Sequence, residues 1–192
     1  MDMITHDELV RRVQTALQDA ETACPDSWSR VALATEGRDG PDLRYVLLKG
    51  FDARGFVFFT NYESVKARQL SHSPRASLAF HWWETGVQLR VRGLASKVSP
   101  EESDAYFASR DRMSQLGAWA SRQSHAVLEP LEQRIEGASE RFPGEVPRPA
   151  NWGGFRVRPT GIELWFDRDA RLHERFVYKR IQDQWRGQRL DP

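Results

Sequence analysis

Residues 44–61 read RYVLLKGFDARGFVFFTN, and this stretch decides the fold. Arg44–Phe51 and Phe56–Thr60 are two short runs of aliphatic and aromatic side chains, and Asp52–Gly55 between them carries turn residues. That pattern predicts an antiparallel hairpin. Upstream, Val31, Leu33 and Thr35 alternate with small residues, and Gly37–Pro41 is a turn. Downstream, Ala76–Trp83 reads as a strand and Glu84-Thr85-Gly86 as a turn. Val87, Leu89 and Val91 then alternate with Gln88, Arg90 and Arg92, as a half-buried strand requires. Phe155–Val157, Ile162–Phe166, Arg175–Tyr178 and Trp185–Leu190 supply the closing strands.

The helical signals are fewer. Thr5-x-x-Glu8 is a capping box, and Leu9, Val13 and Leu17 follow at helical spacing, so a helix is expected from Thr5 to about Cys24-Pro25. A short helix is expected over Glu63–Leu70. Ser99-Pro100-Glu101-Glu102 opens another that runs towards Arg110, and a fourth covers Ala126–Arg141. Phe142–Asn151 contains three prolines and reads as a loop. The expected architecture is mainly β with peripheral helices: six or more short antiparallel strands in a barrel. With 192 residues and no linker or repeat, one domain is expected over 1–192. Residues 1–29 form its helix and lead-in, and 30–192 the barrel, helices and closing strands.

Composition narrows the function. A net charge of +1 makes no electrostatic case for nucleic acid or an anionic membrane, and Arg90, Arg92 and Arg122 belong to no nucleic-acid-binding motif. No apolar run approaches the ~20 residues of a membrane span. MDMITHDELVRR lacks the apolar core of a signal peptide. The single Cys24 excludes an internal disulfide and is compatible with a reducing cytoplasm. The five histidines do not cluster at metal-ligand spacing, so no metal is expected, and phosphate-loop, dinucleotide and hydrolase motifs are absent.

Three clusters could carry chemistry. Arg171, His173 and Arg175 would share one face if RLHER is a strand: a solvated face, or one that meets an anion or an electron-rich ring. Tyr106, Arg110 and Ser114 are four apart and would align on one uninterrupted helix. They read as a phosphate clamp, or as a core tyrosine beside exposed polar residues. Arg44, Lys49 and Lys66 surround the hairpin and a helix start, as surface charge or as a second phosphate site.

RYVLLKGFDARGFVFFTN, SQLGAWASRQS, NWGGFRV, RLHERFVYKR and WRGQRLDP, in this order, resemble the pyridoxine/pyridoxamine 5'-phosphate oxidase family of FMN-binding split barrels. The resemblance covers nearly the whole chain from about Val31. It implies FMN contacts from Arg44, Tyr45, Val46, Leu47, Lys49, Phe59, Thr60, Lys66 and Gln88. A second subunit would supply Gln123, Ser124, Trp165 and Arg175 across a homodimer interface. It implies a substrate phosphate held by Lys49, Tyr106, Arg110 and Ser114, with Arg171 and His173 over the substrate ring as the catalytic pair. The implied reaction oxidises pyridoxamine or pyridoxine 5'-phosphate to pyridoxal 5'-phosphate with oxygen, releasing peroxide.

The chain departs from that pattern in several places. Val65 stands beside Lys66 where the family has arginine, Asp111 replaces a proline, Met113 replaces an aspartate, and Phe166–Ala170 lacks the family's glycines. The family's substrate-covering arm has no match before Thr5. Two other readings stay open: a split-barrel flavin oxidase acting on phenazine precursors, and a flavin-binding module without turnover. The retained Lys49, Tyr106, Arg110 and Ser114 favour a phosphorylated substrate, and the Arg171–His173 pair favours an enzyme.

Overall fold

The computed structural model describes residues 2–192. In chain order the elements are β1 (Asp2–Ile4), α1 (His6–Ala23), β2 (Arg30–Gly37), β3 (Gly40–Leu47), β4 (Gly50–Asp52), β5 (Gly55–Asn61), α2 (Val65–His72), β6 (Arg75–Trp82) and β7 (Val87–Lys97). Then come α3 (Pro100–Ala108), α4 (Arg112–Ala120), α5 (Leu131–Arg141), β8 (Trp152–Phe166), β9 (Glu174–Ile181) and β10 (Gln184–Leu190). Every strand pair is antiparallel, and the main path runs β1-β10-β9-β8-β7-β6-β2-β3. The expected fold class holds. Among the described residues, no helix is long and apolar enough to cross a membrane.

Two features bend this path around a core. The first is the hand-over in the quoted hairpin. It is not one strand from Arg44 to Phe51 but β3 and β4, separated at Leu48 and Lys49. Leu48 N donates to Ser29 O at 2.7 Å and Lys49 N to Val57 O at 2.8 Å, so the chain leaves β2 as a partner and takes up β5. The second is β8. The two short strands expected at 155–157 and 162–166 are one continuous strand. Its first part pairs β5 from Trp152 to Val157, and its last part pairs β9 from Gly161 to Phe166, with β7 alongside both. The register against β7 shifts between Arg92 and Gly93. A Cβ on Gly93 would lie 2.3 Å from Arg158 O, so glycine is what lets the two backbones approach at that bulge.

The core follows the two periods. Leu9, Val13 and Leu17 of α1 pack with Leu33, Phe56, Phe80, Leu89 and Val91 from the sheet. Thr5 caps α1 as expected, its side chain accepting from Glu8 N. A second, smaller cluster joins Phe107, Leu116 and Ala138 of α3, α4 and α5 to Val146 and Trp152. This cluster fixes three helices against the start of β8.

Two expectations are corrected, and the single helix that would align Tyr106, Arg110 and Ser114 does not form. The helix from Ser99 runs towards Arg110 as expected and ends at Ala108. The Ser109 hydroxyl donates to Tyr106 O, and Asp111 starts a new helix by accepting from Ser114 N at 2.8 Å. The fourth helix begins at Leu131 rather than Ala126, behind Pro130. Arg171, His173 and Arg175 do not share a strand face. Asp169–Arg171 is a single 3₁₀ turn with Ala170 and Arg171 at φ 54° and 61°, and β9 starts only at Glu174.

Candidate active site

The β3–β4 junction, the end of β5, the start of α2 and the α3–α4 corner enclose a cleft of about 430 Å³. Tyr45, Val46, Leu47, Lys49, Phe59, Thr60, Lys66, Tyr106, Arg110, Ser114 and Gln123 all line it. Residues far apart in sequence, assigned to two phosphates, therefore face one space.

At one end lies Lys66, only 8% exposed, on the first turn of α2. Its Nζ donates to Thr60 Oγ1 at 3.3 Å, and Thr60 donates to Gln123 Oε1 at 3.2 Å. No carboxylate lies within ion-pair distance of Lys66 among the described residues. Burial pushes its pKa down, and nearby Arg44 adds to that, against a smaller opposing pull from Asp42. A buried ammonium beside a helix N-terminus, with only a hydroxyl for company, suits an incoming anion. Ser64 caps α2 by accepting from Ala67 N at 3.4 Å, and Ser124 Oγ accepts from Val65 N at 3.3 Å.

The other end is the α3–α4 corner. Tyr106, Arg110 and Ser114 converge there although the helix between them is broken. Asp111 redirects the chain, so Ser114 sits in the first turn of α4 and still faces the cleft. Among the described residues Arg110 has no acidic partner, and its Nη1 is buried without a hydrogen bond. Its guanidinium carbon lies 4.7 Å above the Trp152 ring and 5.7 Å from that of Phe107. Burial pulls the Arg110 pKa below its usual value, against weaker upward pulls from Tyr106 and Asp111. A half-buried cation that lines the cleft without a carboxylate partner suits a phosphate.

Arg44 does not line the cleft. Its guanidinium turns behind α2, donating to Thr35 Oγ1 at 2.5 Å and Gln69 Oε1 at 2.9 Å, and meets Asp42 at 2.5 Å. Gln69 also lowers the Asp42 pKa by donating to it, and Arg44 assists. Gln123 and Ser124, expected from a second subunit, reach α2 and the cleft of their own chain. Helix α4 stops at Ser121, and Ser124 at φ 69° turns the segment back over α2.

Five site residues gather elsewhere. Gln88, Trp165 and Arg175 are direct cross-strand neighbours on β7, β8 and β9. The His173 ring lies 4.5 Å from that of Trp165, tilted against it, and Arg171 sits in the exposed 3₁₀ turn. Arg175 donates to Glu163 at 3.0 and 3.1 Å. None of these five lines the cleft of its own chain. Sequence reasoning assigned no role to Trp152 and Asp167. Trp152 lies in the quoted NWGGFRV stretch and lines the cleft, and Asp167 lies where the family's glycines are absent.

Comparison with known proteins bears on this arrangement. Residues 17–141 match the family model described as pyridoxamine 5'-phosphate oxidase. Residues 152–192 match that of the pyridoxine 5'-phosphate oxidase C-terminal dimerisation region. A pyridoxine/pyridoxamine 5'-phosphate oxidase of Rubrobacter xylanophilus is 54% identical, covering 84% of this chain and 76% of that protein. One from Azorhizobium caulinodans is 47% identical, covering 100% of this chain and 93% of its own. Among solved structures, PhzG from Burkholderia lata, in complex with tetrahydrophenazine-1-carboxylic acid, superposes with a TM-score of 0.90 at 28% identity, over 95% of this chain and 92% of that one. A pyridoxamine 5'-phosphate oxidase-related, FMN-binding protein from Nostoc punctiforme shares the fold, with a TM-score of 0.76 at 20% identity over 93% of this chain and 97% of that one. The chain belongs to the pyridoxamine 5'-phosphate oxidase family.

Proposed function

We propose that this chain is an FMN-dependent oxidase that converts pyridoxamine 5'-phosphate and pyridoxine 5'-phosphate to pyridoxal 5'-phosphate. The observation that carries the reading is one cleft with two cations, the buried Lys66 and the half-buried Arg110, neither paired to a carboxylate among the described residues. FMN and the substrate each bring one phosphate, close to a dianion at neutral pH, and each needs a cationic partner. Lys66, with Thr60 and the first amides of α2, holds the flavin phosphate. Lys49, Tyr106, Arg110 and Ser114 hold the substrate phosphate. Residues Tyr45–Leu47 and Phe59 flank the space between.

When bound, FMN would supply the two-electron acceptor for the hydride from substrate C4', with oxygen as the final oxidant and hydrogen peroxide as its product. The chain's part is to clamp the substrate by its phosphate, exclude water and press the pyridine ring into reach. Water then releases ammonia when the substrate is the amine. Arg171 and His173 lie with Trp165 and Arg175 outside their own cleft, so they act across a homodimer interface on a second copy's cleft. The match of residues 152–192 to a dimerisation region supports that arrangement. The protein works as one domain over 1–192 in the cytoplasm, where the lone Cys24 stays reduced.

The test is aerobic turnover of pyridoxamine 5'-phosphate by purified protein with excess FMN, following pyridoxal 5'-phosphate and peroxide together. Equal amounts of both, absent without FMN, are expected. A flavin-loaded protein that oxidises neither B6 phosphate, but does oxidise a reduced phenazine carboxylic acid, would overturn the reading.

A further inference from the structure

The α3–α4 corner solves a physical problem for which the phosphate clamp alone does not account. A guanidinium taken out of water normally needs a carboxylate. Arg110 has none. Its sequence neighbour Asp111 is committed to Ser114 N, at 2.8 Å, as the cap of α4. Asp104, on the preceding helix, is committed to Arg148 at 2.6 Å. What Arg110 does have is an aromatic floor. Trp152 lies 4.7 Å beneath its guanidinium carbon, itself only 7% exposed. Phe59, Tyr106 and Trp152 form a near-parallel set, with interplanar angles of 17°, 11° and 7°. Phe107 meets the Trp152 edge at 69° and holds the indole from the side. The Arg148 guanidinium donates to Trp152 O at 2.7 Å and fixes its backbone.

We propose that Trp152 is a positioning residue for the phosphate clamp: its indole face replaces a carboxylate as the partner of Arg110. The inference rests on the assignment of Arg110 to the substrate phosphate. A π face attracts the cation but accepts none of its in-plane N–H bonds. Arg110 is therefore held in the cleft with Nη1 still unpaired, the state in which it is found. A carboxylate in the same place would use those donors, and an incoming phosphate would have to displace it against like-charge repulsion. The indole also fixes where the guanidinium sits, 4.7 Å above its ring, and position is what a forked donor needs to meet a phosphate edge. Through Phe59 and Tyr106, the same stack connects the Arg110 floor to the wall of the cleft.

The experiment uses the FMN-loaded protein. Trp152→Leu, Trp152→Phe, Arg110→Met and the Trp152→Leu/Arg110→Met pair are titrated calorimetrically with pyridoxal 5'-phosphate and with inorganic phosphate, and assayed for KM and kcat. Trp152→Leu is expected to raise Kd and KM roughly tenfold, with kcat changed far less, and Trp152→Phe to recover most of that loss. In the Arg110→Met background the same Trp152→Leu change is expected to cost less than about twofold, because Trp152 acts through Arg110. An equal loss in both backgrounds would make Trp152 merely structural and overturn the proposal. If Trp152→Leu does not fold, Trp152→Phe decides: an unchanged phosphate Kd sinks the idea, and a two- to threefold rise that vanishes in Arg110→Met supports it. A protein that oxidises no B6 phosphate, yet binds inorganic phosphate with this Trp152 and Arg110 dependence, refutes the proposed function and leaves the role of Trp152 standing.

Discussion

The imidazole of His173 lies 4.5 Å from the Trp165 ring, tilted 41° to it. Its Nδ1 is 3.0 Å from the Asp167 carboxylate and 3.2 Å from the backbone N of Arg168. A protonated Nδ1 is oriented by Asp167, and an unprotonated one accepts from the Arg168 N–H instead. The carboxylate is half exposed, which limits its worth. Asp167→Ala is expected to lower kcat by about two- to fivefold, no more than ~1 kcal/mol, with FMN affinity unchanged. Steady-state kinetics beside a flavin titration checks this, and a kcat equal to that of the parent would remove Asp167 from the site.

Arg171 sits at φ 61° in the exposed 3₁₀ turn and forms no ion pair among the described residues. If it presses the substrate ring across the dimer interface, Arg171→Ala should cut turnover by roughly a hundredfold through lost orientation. FMN binding should hold within about threefold, on the scale of a lost surface contact. Loss of the flavin with turnover retained would contradict that place.

Val65 occupies the first position of α2, its amide donating to Ser124 and its side chain partly exposed next to Lys66. An arginine there would add a charge-assisted hydrogen bond to the flavin phosphate. Val65→Arg is expected to tighten FMN by roughly 1.5–3 kcal/mol, about ten- to a hundredfold. Fluorescence titration of the apoprotein measures it. An affinity no tighter than that of the parent would mean that another cation already serves the phosphate.

Lys66 should make FMN binding depend on pH. Burial lowers its pKa, so the empty folded protein releases this proton at lower pH than the unfolded chain does. The unfolded state binds more protons across that window, and stability contributed by this group rises with pH through it. A bound phosphate reverses the preference and holds the ammonium charged. FMN affinity is therefore expected to stay level below the lowered Lys66 pKa and to fall as pH rises through it, before the ordinary lysine value of about 10.4. Lys66→Arg should flatten the curve, since a guanidinium stays charged. Parallel curves for the two proteins would place the titrating group elsewhere.

Gly55 turns the β4–β5 hairpin at φ +133°, and a Cβ there would lie 2.2 Å from Val157 O. Gly55→Ala should destabilise the protein by roughly 2–4 kcal/mol, combining backbone strain with a clash against β8. Urea unfolding measures the loss. A midpoint close to the parent's would show that the β5–β8 contact can yield.

The signals that were legible in the sequence are local ones. The hairpin around Asp52–Gly55, the caps at Thr5 and Ser99, and the alternation of Val87, Leu89 and Val91 depend on neighbours a few residues away. Local propensity is enough to write them, and the structure keeps each of them. Lys49, Lys66, Tyr106, Arg110 and Ser114 could likewise be named as anion-binding residue types before any fold was known. Their meeting in one cleft was decided by tertiary structure. The hand-over at Leu48–Lys49 carries the chain from β2 to β5, and Asp111 breaks a helix yet keeps Ser114 beside Arg110. Spacing would put Arg171, His173 and Arg175 on one face only if RLHER were a strand, and left-handed backbone at Ala170 and Arg171 keeps it from being one. No local pattern signals Trp152 as the floor beneath Arg110, because that contact joins residues 42 positions apart through packing alone. Periodicity reports which face of an element is buried. What that face meets depends on the whole chain.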